Sequence, residues 1–161
     1  MADARQLRRL VAYNQWADER ILAAIDGLAA DELEKPREAY FQNLTANLRH
    51  TLIAQRNWLA RFRGQPRGDQ TMGASWPDAY GVTHADLRGF VAALSDHDAD
   101  RILRYTDLQG VAREMVLADA ITHVVTHGTA HRAETGLLLE RLGRSPGDLD
   151  FAHYVREFER H

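Results

Sequence analysis

The chain has 161 residues, 45% of them hydrophobic and 27% charged, which suits a single soluble globular domain over residues 1–161 with a core of its own. A net charge of −3 argues against a nucleic-acid-binding face, which needs concentrated positive charge. Cysteine is absent, excluding disulfides and a cysteine nucleophile; no apolar run nears membrane-spanning length and no secretory core opens the chain, so a cytoplasmic protein without a membrane anchor is expected. The positive charge is almost all arginine, Lys35 being the only lysine. Codon bias accounts for that, and a carboxylate- or phosphate-binding role for one or two arginines stays open.

Residues 3 to 30 read as a helix, with Leu7, Leu10, Val11, Asn14, Ala17, Ile21, Ile25 and Leu28 recurring at three- and four-residue steps. Asp18 falls off that stripe, and Gly27 with the acidic stretch up to Pro36 ends it. Asn14 reads either as a hydrogen-bonded core asparagine or as support for a nearby site. Tyr13 and Trp16 read as packing residues.

A second helix is expected over 42 to 63, carried by Leu44, Leu48, Leu52, Leu59 and Phe62 and closed by Gly64, Pro66 and Gly68. His50 lies in its middle, with Asn47, Ala54 and Asn57 on the same side. Residues 64 to 82 are the least regular part and read as a crossover between helices or the lining of a pocket. A third helix is expected over 83 to 98 with Thr83 as its N-cap. Ile102 to Thr106 and Val111 to Arg113 read as a small hairpin around Asp107-Leu108-Gln109-Gly110.

The last long helix is expected over 114 to 142 and carries His123, His127 and His131 at i, i+4 and i+8, hence along one stripe. Two histidines one turn apart can reach a single ion. Gly128 and Gly136 inside this helix point to the close approach of a neighbouring helix or a ligand. Gly143 and Pro146 stop it, and one more short helix is expected from Asp150 to His161. His84, His97, His153 and His161 read as surface residues.

Four main helices in a chain of this size make an all-α four-helix bundle, with a long crossover loop and a small hairpin before the last helix. His50 facing His127 and His131 would give three neutral ligands and an open coordination position. There water, a thiolate or an oxyanion would be stabilised by zinc, nickel, iron or manganese, one ion per chain. His123 reads as a pocket residue beside that site or as plain packing.

Tyr13-Asn14-Gln15-Trp16-Ala17-Asp18, Leu48-Arg49-His50-Thr51-Leu52 with Trp58-Leu59, and His123 through Arg132 occur in one order along the chain. Leu142-Gly143, Pro146, Asp150-Phe151 and Tyr154 follow. In this the chain resembles the DinB family of damage-inducible, DinB/YfiT-like metalloenzymes over almost its whole length. The resemblance implies an up-down-down-up bundle, a homodimer, and a divalent metal held by His50, His127 and His131. It further implies kinship with transferases that use a low-molecular-weight thiol (bacillithiol, mycothiol or glutathione) and with a maleylpyruvate isomerase. Ala133-Glu134 stands where Gly-Gln is commoner and Asp18 where Asn is frequent, so Glu134 adds charge near the site and bears on substrate class. His123, Asn14, Asn47, Asn57 and Glu134 are the residues expected to support or line the pocket. The function expected is a metal-dependent thiol S-transferase acting on a small molecule. The alternatives are a metal-dependent hydrolase or isomerase, and a non-catalytic metal-binding stress-response protein.

Overall fold

The computed structural model describes residues 2–38 and 40–158. In chain order the elements are α1 (Ala4–Ile25), α2 (Ala30–Glu34), α3 (Leu44–Phe62), α4 (Trp76–Ala92), α5 (Asp96–Ala99), β1 (Ile102–Thr106), β2 (Ala112–Val116), α6 (Leu117–Glu140) and α7 (Phe151–Phe158). Four long helices, α1, α3, α4 and α6, form the bundle, and β1 pairs antiparallel with β2 beside it.

Side-chain contacts fix the helix directions. On α1 and α4, Asp18 meets His84 and Gln15 meets Arg88, so the two run antiparallel. On α3 and α6, Asn47 meets Glu134 while Trp58 meets His123, again antiparallel. Tyr80 bonds the Leu48 carbonyl and Phe90 stacks on Phe62, so α3 and α4 run the same way. This is the expected up-down-down-up order, and two adjacent parallel helices need the long crossover between residues 63 and 75.

The apolar core falls into an upper and a lower cluster. Leu7, Val11, Phe62, Leu87, Val91 and Ile121 belong to one. Ile21, Leu44, Leu48, Leu52, Tyr80 and Leu139 belong to the other. Between them every long helix contributes a buried polar residue: Asn14 and Asp18 from α1, Gln55 from α3, His84 from α4 and Arg132 from α6. A third cluster, Tyr13, Trp16, Ala17 and Val125, is covered by Phe151 and Tyr154 of α7. Tyr13 and Trp16 therefore pack as expected, and the Tyr13 hydroxyl also donates to the Leu149 carbonyl at 2.9 Å.

Several boundaries differ from the sequence expectations. Helix α4 begins seven residues earlier than Thr83. Ser75 caps it by accepting from the Asp78 amide, and Pro77 sits in the first turn, where no amide hydrogen is needed. Thr83 is instead buried in mid-helix, donating to the Ala79 carbonyl and accepting from Arg56. Residues 114–116 join β2, because pairing with β1 uses their backbone groups, and α6 starts only at Leu117. His84 is 2% exposed, not a surface residue, because its ring bonds the central carboxylate. His97 is exposed and His153 half-buried; His161 lies outside the described residues. Among the described residues no helix is long and apolar enough to cross a membrane.

Gly128 meets the close-approach expectation. A Cβ there would lie 2.7 Å from Arg132 Nη1 and 2.8 Å from Asn14 Oδ1. Gly136 does not, since its Cβ would make ordinary contact with Pro146 at 3.6 Å. Gly128→Ala should therefore destabilise by about 1–3 kcal/mol, since overpacking outweighs the helix-propensity gain of up to about 1 kcal/mol. Gly136→Ala should be neutral or stabilising; urea unfolding of the two variants checks the contrast. Asp18→Ala should cost about 3–5 kcal/mol by stranding the buried Arg132 charge, read in the same experiment.

Candidate metal centre

Helix α3 places His50 toward α6, and α6 returns His127 and His131 one turn apart. His50 Nε2 lies 3.3 Å from His127 Nε2, and His131 Nε2 lies 3.2 Å from the same atom. One ring nitrogen from each histidine lies within 4.8 Å of the others. Bonds of about 2.0–2.1 Å to a tetrahedral ion would set ligand nitrogens about 3.3 Å apart, so the donor set and its spacing fit a divalent metal such as zinc.

The rings are partly shielded, and their basicity falls. Burial pushes His127 down to about 4, helped by repulsion from His131, His50 and His123. Burial, then the neighbouring His131, lowers His50; burial lowers His131 against the opposing pull of Glu134. Three imidazoles that resist protonation are neutral near pH 7, the form that ligates.

Around them the expected supporting residues divide. Asn47 donates to Glu134 Oε2 at 2.7 Å and approaches the His131 carbonyl. Glu134 also accepts from the Tyr40 amide, and so ties the loop before α3 to α6. That loop lays Phe41 over the cluster, stacked on His50 at 4.5 Å between centroids and 5.3 Å from His131. Gln42, at φ 63°, is the one non-glycine residue with positive φ among those described, and it turns the chain back into α3.

Phe41 was not expected from the sequence. Its only local signal is an aromatic residue shortly before the Asn43 N-cap. His123 makes an edge contact with Trp58 at 5.1 Å and stands 5.6 Å from the His127 ring, at the margin of the cluster. Asn57 accepts from the Gly68 amide and from Gln70, pinning the crossover loop. It also faces a cleft of about 220 Å³ that opens beside His50 and His127.

Asn14 lies inside the bundle, where it accepts from Arg132 at 2.8 Å and donates toward Gln55 and Asp18. Asp18 takes hydrogen bonds from Gln55 at 2.8 Å, His84 at 2.9 Å and Arg132 at 2.8 Å. Burial alone would raise its carboxyl pKa; the Arg132 charge with the His84 and Gln55 bonds outweighs that and holds it below the usual range.

The model of the DinB family matches residues 1–160. The chain belongs to the DinB family. Among curated relatives it is similar to Protein DinB of Bacillus subtilis (strain 168), 19% identical over 158 residues that cover 91% of this chain and 92% of that protein. In this DinB-family chain the histidines brought together are the three that the resemblance singled out, while His84 serves the bundle core.

The depressed basicity gives the metal-free protein a definite pH dependence. An unfolded imidazole titrates near 6.5 and folded His127 near 4, so between those values the unfolded chain binds more protons. The histidine contribution should be complete above pH 6.5 and lost as pH falls toward 4. His127→Asn should flatten that part of a stability-against-pH curve measured by urea unfolding in chelator.

Proposed function

We propose that this protein is a metal-dependent transferase that joins a small thiol to an electrophilic small molecule. The observation that carries the reading is the convergence of His50, His127 and His131 on one point beside an open cleft. Three protein ligands with a further position free mark a catalytic ion rather than a closed structural one. When bound, a divalent ion would supply Lewis acidity there, lowering the pKa of a thiol so that it can attack carbon.

The protein's own groups do the rest. The neutral imidazoles bind without charge and so leave the ion's positive charge for an anionic partner. Phe41 covers one side of the cluster and keeps water from it. Entry is left to the cleft side, where His50 and His127 are accessible. The chain contains no cysteine, so the thiol arrives as a separate molecule. Its proton passes to solvent, its sulfur bonds the electrophilic carbon, and the leaving group departs or the epoxide ring opens.

Protein purified without a nickel column should hold about one zinc, nickel, iron or manganese ion per chain, and His50→Ala should abolish binding. Elemental analysis checks this, and chelation should lower the melting temperature of the wild type but not of the mutant. Loaded wild type should conjugate thiols to chloro- or epoxide-bearing probes. Turnover of such probes without thiol would move the reading to a hydrolase, and metal without turnover would leave a binding protein.

A further inference from the structure

The cleft beside the trihistidine cluster has one charged wall residue, Arg61, and no carboxylate in its lining. His50, Asn57 and Arg61 share one stripe of α3, seven and four residues apart, so the cluster stands at one end of the cleft and the guanidinium at the other. Eleven residues of helix rise about 16 Å between the two backbone positions, and the long Arg61 side chain narrows that by returning over Trp58, three residues back.

Arg61 is held by aromatic faces rather than by acceptors. Its Cζ lies 4.6 Å from the Trp58 ring centroid and 5.1 Å from that of Tyr105. Among the described residues its side chain has no hydrogen bond or ion pair, and its buried Nε has no partner. Other interior arginines are spent: Arg56 on Thr83 and Ala79, Arg101 on the Phe62 carbonyl, and Arg132 on Asp18 and Asn14. Arg61 also borders a second cleft, where Arg104 is engaged by Glu114 at 3.3 Å. The two rings hold the guanidinium, and among the described residues its terminal nitrogens meet no protein acceptor. That is the arrangement for receiving a carboxylate in two parallel hydrogen bonds.

We propose that Arg61 determines specificity in this cleft by binding a carboxylate at the end of the small molecule remote from the metal. The ligand is thus an elongated carboxylic acid whose metal-binding group meets the histidines and whose apolar middle lies along Trp58 and Leu108. This rests on the trihistidine reading above, and adds to it the substrate class.

The test is calorimetric titration of zinc-loaded wild type, Arg61→Gln and Arg61→Lys with 6-mercaptohexanoate and with its neutral counterpart 6-mercaptohexanol. Wild type should bind the acid about tenfold more tightly than the alcohol. Arg61→Gln should lose that preference while binding the alcohol and zinc as before, and Arg61→Lys should keep part of it. Equal affinities in wild type, a preference that survives in Arg61→Gln, or binding of neither thiol would overturn the proposal. In each of those cases a zinc content of about one per chain leaves the metal reading intact. Wild type that takes up no zinc overturns both. Should Arg61→Gln fail to fold, the acid-against-alcohol ratio in wild type and in Arg61→Lys decides.

Discussion

The structure turns on one buried carboxylate. Asp18 is 3% exposed, and it binds side chains from α3, α4 and α6 while sitting on α1. Removing a carboxylate from water is costly, and a lone Arg132 guanidinium in the same place would be costly too. Together, with Asn14, Gln55 and His84 filling the remaining hydrogen bonds, each offsets the burial of the other. Such a layer adds little to net stability over an apolar one. Its effect is to allow only one rotation and one register for each helix, since a slip leaves a buried charge unpaired.

That constraint sets the histidines. His131 and Arg132 are neighbours on α6, about 100° apart around the helix. Once Arg132 points to Asp18, His131 and His127 must face α3. Gln55 does the same for α3: with its amide on Asp18, His50, five residues earlier and about 140° around the helix, faces α6. Gly128 lets α6 come close enough to α1 for both conditions to hold. The cluster is thus oriented from behind by the core, not by contacts among its own rings. In front, Glu134 clamps the loop that carries Phe41. Sequence alone makes Glu134 an added charge near the site; its oxygens are taken up by Asn47 and the Tyr40 amide, so its first role is to hold that loop.

The two charged systems differ in kind. In the core, Asp18 and Arg132 cancel locally. At the surface, three imidazoles that burial keeps neutral leave the cleft without an acidic group. An ion bound there would keep its positive charge toward the open side, with Arg61 adding to it across the cleft. Both features favour an anionic or thiolate partner over a cationic one.

Features that depend on local periodicity are legible in the amino-acid order alone. The amphipathic stripes place the four long helices, the i, i+4 spacing of His127 and His131 places two ring nitrogens on one face, and Asp107 to Gly110 sets the hairpin. Even there local signals misplaced an end: Thr83 has the look of a cap, whereas Ser75 with Pro77 provides one eight residues earlier. Which polar residues go inside depends on contacts between helices far apart in the chain. Asp18 lies off the apolar stripe and His84 looks like a surface histidine, because nothing local to either shows the partners that make burial tolerable. Those partners lie 37 to 114 residues away in the chain. Phe41 and Arg61 share that position: a loop residue and a helix-end arginine acquire a role only when the bundle closes and sets one against His50 and the other against Trp58 and Tyr105. Periodicity reports which face of a helix is apolar; it carries no information about which long-range charge a polar side chain will meet.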